Sequence, residues 1–442
     1  MLPYAMEVPD RVRKQRYYDP DFYALEVELL WPRVWQMACR LEEIPRPHDF
    51  VEYEFLDQSV IVVRGDDMGV RAFQNVCRHR GVRVVAGRGT CDDGFTCPFH
   101  GWCYGLDGRN TAVTRRSTFA DHNLAPGDID LTPVGCEVWG GCAWINLADD
   151  APPLRQCIEP AATVLDAWKV ESLRTEWWYA ARLPVNWKLA EEAFVEQYHV
   201  LETHPQLRIP GRYARPGAEF DARSWVDAEI HYLRMMSEGM GGMVHANDVK
   251  VAEGLRDLDL PAGAEPAMAT WHRTFNDAVT AWHRDAGGDI PDLNELEASG
   301  LNEPMGYCFP HYFVLPMYSS ASSYRFRPLG PEETLMEIWS LTRFPEGEER
   351  PRPTPPEPWE CDDSRWPPIP AQDFSNLPRQ QRGLHARGFE YMRLSEQMEG
   401  HISNFHRTLD RFLTGLPYDQ LMPALRHVNV NPLEMPIVDL DQ

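Results

Sequence analysis

Residues 77–105 read CRHRGVRVVAGRGTCDDGFTCPFHGWCYG. Cys77-x-His79 is followed, after seventeen intervening residues, by Cys97-x-x-His100. Each short segment offers one thiolate and one imidazole, and a fold that uses all four must set two tight loops side by side. Gly81 and Gly101 follow the two pairs, and glycine lets a backbone approach a bound group closely and donate N–H groups to it. One Cys and one His per loop suits a [2Fe–2S] centre in which one iron takes two thiolates and the other two imidazoles. A structural zinc site of Cys2His2 type is the alternative, but such sites pair like ligands within a loop. Cys91 and Cys103 lie nearby and read as small buried residues rather than ligands.

Composition narrows the setting. In 442 residues, 43% hydrophobic and 25% charged, no apolar run is long enough to span a membrane. The opening MLPYAMEVPDRVRKQRYYDPDF has no apolar signal core, and ten cysteines in a chain this long do not make a disulfide scaffold. A cytoplasmic, reduced protein of two or three domains is expected. The net charge of −24 makes nucleic acid and anionic membrane poor partners. Residues 71–116 run against that trend, with eight arginines (Arg71, Arg78, Arg80, Arg83, Arg88, Arg109, Arg115, Arg116) against Asp92, Asp93 and Asp107. This local excess reads either as chance or as a docking patch for a small acidic protein.

Along the chain, residues 20–40 suggest an amphipathic helix interrupted at Pro32. From about 45 to 150 the pattern turns to short strands, including SVIVVRG (59–65) and CEVWGGCAWINL (136–147), with Gly140-Gly141 as a hairpin turn. DDAPPL (149–154) marks a boundary. Residues 186–203 look helical, 207–300 look acidic and irregular, and 311–344 read as several strands. Nine prolines from Pro345 to Pro370 make an extended, exposed loop. Residues 374–415 return to helical periodicity.

The stretch VEQYHVLETHP (195–205) carries His199 and His204 at an awkward spacing. Five residues turn a helix by roughly 500°, about 140° off-face. Pro205 biases His204 away from helical angles. His199 could then point from a last helical turn while His204 swings back from an extended residue. Glu196 lies three residues before His199, which on a helix puts both on one face.

CRHRG with CPFHGWCYGLDG resembles the Rieske domain of Rieske non-haem iron oxygenases, and NWKLAEEAFVEQYHVLETHP (186–205) resembles the stretch that supplies two ligands of their mononuclear iron. The chain is thus similar to the large (alpha) oxygenase subunit of the aromatic-ring-hydroxylating dioxygenase family. The resemblance implies an α+β protein. An N-terminal helical segment (1–44) would pack on the catalytic domain, followed by an all-β Rieske domain (45–155). A helix-grip-like α+β catalytic domain with a central antiparallel sheet (156–442) would complete it. It implies a [2Fe–2S] cluster on Cys77, His79, Cys97 and His100, and Fe(II) on His199, His204 and a downstream Asp. AQDFSNLPRQQRGL (371–384) resembles the segment holding that Asp, and Asp373 is the match; Asp362, Asp363 and Glu399 are the competing carboxylates, and a helix cap is the plain alternative for Asp373. Glu196 falls where the family places a carboxylate that bonds the first iron histidine and reaches the neighbouring subunit's Rieske histidine, here His100. Many members have Asp there and a smaller set, including carnitine-type monooxygenases, has Glu. Ala193 stands where Asn is frequent. Residues 207–300 carry little of the resemblance.

The family implies electrons from a ferredoxin or an NAD(P)H-dependent reductase, O2 as co-substrate and a head-to-tail homotrimer, with a β subunit left open. The expected reaction is hydroxylation of an apolar aromatic, alicyclic or steroid-like ring, as in aromatic hydrocarbon catabolism. MMSEGMGGM (235–243) with Trp271, Phe275, Trp282, Phe309 and Phe313 suggests a lid and an apolar pocket, or else core filling. The alternatives are a monooxygenase acting on N-methyl, O-methyl or quaternary ammonium groups, and a Rieske electron-transfer protein with no mononuclear site.

Overall fold

The computed structural model describes residues 2–212, 220–303, 305–345, 347–348, 350–432 and 435–440. The chain divides into two compact units: Leu25–Cys157 with Arg350–Thr354, and Met1–Ala24 with Ile158–Glu349 and Pro355–Gln442.

The smaller unit is built on a seven-stranded antiparallel sheet. Its order is Gln36–Arg40, Cys142–Asn146, Pro133–Trp139, Val70–Gln74, Gln58–Arg64, Asp49–Phe55 and Arg88–Thr90. The diglycine turn forms as expected: Gly140 and Gly141 have φ of 62° and 73°, and Trp139 pairs with Cys142. The Val/Ile run of 60–63 sits in a strand buried on both faces from Ser59 to Arg64, as an interior strand of the sheet is. A three-stranded sheet of Phe95–Thr96, Cys103–Tyr104 and Asn110–Ala112 stands apart from the seven. Ile61, Val63, Phe73, Val84, Phe95, Trp102 and Leu131 form one buried cluster around Cys77 and Cys97.

The helix expected over 20–40 is short. Pro20–Leu25 is α-helical, a π turn (Glu26–Leu30) and a 3-10 turn (Trp31–Arg33) follow, and Gln36–Arg40 is a strand. Pro32 cannot donate to the helical ladder, and the fully buried QMACR stretch pairs with Cys142–Asn146 instead.

The larger unit carries a six-stranded sheet, ordered Gly306–Cys308, Tyr312–Met317, Ser320–Gly330, Glu333–Thr342, Arg174–Leu183 and Trp359–Glu360. Every pair is antiparallel except the last. Helix α1 (Trp187–Val195) packs on the Ser320–Gly330 and Glu333–Thr342 strands, with Trp187, Leu189, Ala190 and Val195 buried. A four-residue helix, α2 (Val200–Thr203), follows at once.

Residues 207–300 are mostly helical, not irregular: α3 (Ala222–Glu238), α4 (Ala246–Gly254) and α5 (Ala264–Asp285) lie there, while 213–219 fall outside the described residues. In α5 the buried Ala267, Trp271, Phe275, Val279 and His283 recur every four residues, one continuous face. Trp271 and Phe275 are wholly buried and stacked at 5.1 Å, so they fill the core, whereas Trp282 is exposed. Two further helices complete the site's framework, α6 (Pro368–Leu384) and α7 (Gly400–Leu413). Among the described residues no helix is long and apolar enough to cross a membrane.

Candidate metal centres

The two Cys/His loops share one backbone design. Cys77 N–H donates to Val82 O and Gly81 N–H returns to Cys77 O, at 2.8 and 2.9 Å; Cys97 N–H donates to Trp102 O and Gly101 N–H returns to Cys97 O, at 2.8 and 3.0 Å. Each loop closes on its glycine, and Gly81 and Gly101 take φ of 78° and 72°, where a side chain would be strained. The design buries both thiols and brings the His79 and His100 rings to 4.6 Å. Trp102 stacks on His79 at 5.0 Å.

These four side chains fit a cluster. Burial pushes the His79 imidazole down, toward the neutral form a ligand needs, and pushes the Cys77 thiol up, a cost that bound iron would offset. The buried His79 Nδ1 has no hydrogen-bond partner, a cost that a coordinate bond would remove. Tyr104 OH lies 3.2 Å from Cys77 Sγ and accepts from Arg78 N–H at 3.0 Å, a donor aimed at a thiolate. Cys91 and Cys103 are half-buried; Cys103 Sγ lies 3.5 Å from Thr96 Oγ1 and Cys91 Sγ donates to His48 O.

The second constellation depends on an interrupted helix. Asn186 caps α1 by accepting from Lys188 N–H at 3.1 Å, and its own N–H donates to Gln381 Oε1 on α6 at 3.0 Å, tying the two helices together. Helix α1 stops at Val195. Glu196 is extended (φ −112°, ψ 149°), so the single helical face expected for Glu196 and His199 does not exist. A turn achieves the same contact. Glu196 Oε2 accepts from the N–H groups of Tyr198 and His199, and Oε1 takes His199 Nδ1–H at 2.5 Å. His204, with φ −115° and ψ 72°, leaves the helical region before Pro205 as expected.

The structure brings His199, His204 and Asp373 together, their ligand atoms within 4.8 Å of one another. His204 Nε2 is 3.1 Å and His199 Nε2 3.6 Å from Asp373 Oδ1. Asp373 lies in the second turn of α6 and is buried; it is not the helix cap, which is Pro367. Both outer nitrogens are held: His199 by Glu196 and His204 by Gln372 Oε1 at 2.7 Å. Burial alone would lower the His199 pKa, but the hydrogen bonds to Asp373 and Glu196 outweigh it and raise it to about 9. Two imidazoles with one carboxylate suit Fe(II) with positions left open. Of the competing carboxylates, Asp363 pairs with Arg365 and Glu399 accepts Ser395 N–H at 2.6 Å.

A cavity of about 320 Å³ opens onto His199 and Asp373 of this triad, lined also by Glu192, Glu196, Arg393 and Glu399. Aromatic rings gather on the sheet side. Phe194 lies 5.5 Å from Tyr324, 6.1 Å from Phe326 and 6.4 Å from Phe374, and Phe313 stacks on Tyr324 at 4.6 Å. Gln372, Gln206 and Tyr324 were not evident in the sequence; the one available signal was that Gln372 adjoins Asp373.

Residues 170–415 match the family described as "Ring hydroxylating alpha subunit (catalytic domain)", and residues 34–123 match "Rieske [2Fe-2S] domain". The carnitine monooxygenase oxygenase subunit of Escherichia coli (strain K12) is 33% identical over 194 residues, 43% of this chain and 50% of that protein. The 2-aminobenzenesulfonate 2,3-dioxygenase subunit alpha of Alcaligenes sp is 31% identical over 186 residues, 41% and 47% of the two chains. The glycine betaine monooxygenase oxygenase subunit of Chromohalobacter salexigens is 31% identical over 191 residues, 43% and 42%. The alignments thus span about half the length of these relatives. In fold, a quaternary ammonium Rieske monooxygenase, CntA, superposes with a TM-score of 0.61 at 18% identity, covering 92% of this chain and 97% of that one. Naphthalene 1,2-dioxygenase gives 0.61 at 18%, covering 95% and 97%. The catalytic-domain match alone takes in more than half of the sequence, and the chain belongs to the ring-hydroxylating alpha-subunit family of Rieske oxygenases, with a Rieske [2Fe–2S] domain and the catalytic domain of a mononuclear-iron oxygenase.

Proposed function

We propose that this chain is a terminal oxygenase acting on an N-methylated, quaternary ammonium type of substrate. The observation that carries this is kinship: carnitine and glycine betaine monooxygenases recur among its relatives. They favour the N-methyl alternative over the apolar ring that the sequence first suggested. In the net reaction one oxygen atom of O2 enters a C–H bond beside the charged nitrogen, and the other leaves as water with two protons and two electrons.

When bound, the cluster supplies single electrons and the iron supplies O2 activation. Cys77, His79, Cys97 and His100 would hold the first, and His199, His204 and Asp373 the second. The other residues orient these. Glu196 fixes the His199 ring and Gln372 the His204 ring through their Nδ1 protons. We assign Glu196 the further task of meeting His100 of a neighbouring copy in a head-to-tail homotrimer. Exposed apolar side chains at both tips support such a contact: Phe99 beside His100, and Tyr198 and Leu201 beside His199.

A ferredoxin or an NAD(P)H-dependent reductase would deliver the electrons. The arginine-rich stretch offers less for docking than its composition implied. Arg71, Arg83, Arg88 and Arg109 are ion-paired with neighbouring acids, which leaves Arg78, Arg80, Arg115 and Arg116 as exposed charge. The ten free thiols suit a reducing, cytoplasmic setting.

The test pairs the chain with a surrogate ferredoxin and reductase and scores O2 uptake against product, with carnitine, betaine, N-methyl amines and neutral aromatics as candidates. Coupled turnover of an N-methyl cation supports the reading; coupled turnover of neutral aromatics alone overturns it. Iron content separates an electron carrier, at about two Fe per chain, from an oxygenase, at about three.

A further inference from the structure

Among the described residues, two groups place three His or carboxylate ligand atoms within 4.8 Å of one another. One is the triad above. The other is His245, Asp248 and His283, at the start of α4 and the end of α5.

The two groups match feature by feature. His204 Nε2 lies 3.1 Å from Asp373 Oδ1, and His283 Nε2 lies 3.1 Å from Asp248 Oδ1. The His199 and His204 rings stand 5.4 Å apart at 72°, and the His245 and His283 rings 6.0 Å apart at 71°. Each group has a buried carboxylate, one buried histidine and one histidine open by about a fifth: 23% for His199 and 17% for His245. Asp248 is held as a ligand would be, because Ser319 donates its N–H and Oγ–H to Oδ2 at 3.3 and 2.7 Å and leaves Oδ1 to the cluster.

His245 is the arm that can move. Its Nδ1 accepts from Asn247 N–H in a bond of 3.2 Å, and its Nε2 lies 3.9 Å from Glu176 Oε1. A neutral imidazole offers a metal one lone pair. Coordination through Nε2 puts the ring proton on Nδ1 and gives up both weak contacts, whereas coordination through Nδ1 gives up the Asn247 contact alone.

The geometry points to a second metal site here, taking a zinc-type divalent ion on His245, Asp248 and His283. An N/O donor set of this kind suits Zn(II), and Glu176 is the carboxylate at hand for a further position. The ion would pin the start of α4 and the end of α5 to the turn at Ser319, so its role is structural. This inference stands apart from the substrate proposed above.

The experiment equilibrates the iron-loaded enzyme with Zn(II) alone, removes the excess, and counts zinc and iron per chain in the same sample. One zinc bound beyond an unchanged iron content is expected. His283→Gln and His245→Ala should keep their iron and lose zinc affinity by more than roughly tenfold. His245→Ala is the safeguard, since that side chain is partly exposed and its loss should not prevent folding. Zinc should also raise the melting temperature of the wild type but not of His245→Ala. No zinc retained without loss of iron, or equal retention in His245→Ala, overturns the site and leaves a buried His–Asp pair.

Discussion

Replacing Gln372 by Leu tests whether an outer hydrogen bond sets the iron pocket. Gln372 Oε1 accepts His204 Nδ1–H at 2.7 Å, and the amide is itself oriented by Gln206, which donates to Oε1 at 2.8 Å and accepts from Nε2 at 3.1 Å. The reciprocal amide pair keeps oxygen rather than nitrogen facing the imidazole. The His204 side chain is 4% exposed, so no water can replace a lost acceptor. Gln372→Leu keeps the bulk, removes the acceptor, and leaves a buried N–H unpaired. Losing such a partner lowers metal affinity by roughly 10–100-fold, about 1.4–2.7 kcal/mol. The assay is competition with an Fe(II) chelator, counting iron per chain while the reduced cluster's electron spin resonance signal serves as an internal standard. Iron should fall from about three to about two per chain at a chelator concentration that leaves the wild type intact. Gln372→Glu, which restores a stronger acceptor, should hold iron at least as well as the wild type. Iron retention in Gln372→Leu equal to the wild type would refute the claim that this bond positions His204.

Glu196→Gln should keep both metals, since the amide oxygen can still accept from His199, yet abolish product formation in a single turnover with a pre-reduced cluster; full activity would remove the bridging role. Glu192→Gln should change how stability depends on pH. Burial raises the Glu192 pKa to about 8, against the hydrogen bond from Tyr17, so the folded chain prefers the protonated acid. That preference stabilises the fold fully below the ordinary carboxylate pKa, near 4.5, and is lost as pH rises through about 8. Melting curves of Glu192→Gln should therefore gain on the wild type between pH 5 and 8, and parallel curves would remove Glu192 as the cause. Glu337→Gln should destabilise by about 3–5 kcal/mol in denaturant unfolding, because Arg325 and Arg327 both bond this buried carboxylate and would be left uncompensated. A change below about 1 kcal/mol would show that solvent or another acid takes its place.

The Cys/His loops were legible because everything they need is local. Two residues, a closing glycine and a returning backbone bond fit within five positions each. The five-residue spacing of His199 and His204 was half legible. Pro205 announced the turn, but the break at Glu196 was hidden, since LAEEAFVEQ has the composition of a continuing helix. There the carboxylate gains more by accepting two backbone N–H groups and an imidazole than by another helical turn. Asp373 lies 169 positions beyond His204, and no local pattern ties them, so resemblance alone pointed to it. The helices of 207–300 were missed because charged residues sit inside their buried stripes. Glu229 in α3 and His283 in α5 interrupt the apolar signal while each meets an ion-pair partner, the half-buried Arg212 and the buried Asp248.

Asp248 and His283 also show why a donor set alone does not define a catalytic centre. The same set of two histidines and one aspartate, at nearly the same distances, occurs twice among the described residues. What differs is the surroundings. At His199, His204 and Asp373 both outer imidazole nitrogens are fixed by other side chains, and His199 and Asp373 line a cavity of about 320 Å³. A bound ion there keeps open positions and room for a reactant. At His245, Asp248 and His283 one carboxylate oxygen is taken by Ser319, and one histidine doubles as a helix cap. An ion held there would be enclosed by the helices it joins. Its expected signature is a stability that depends on zinc while turnover does not, and zinc-dependent turnover in an enzyme with full iron occupancy would count against the structural role.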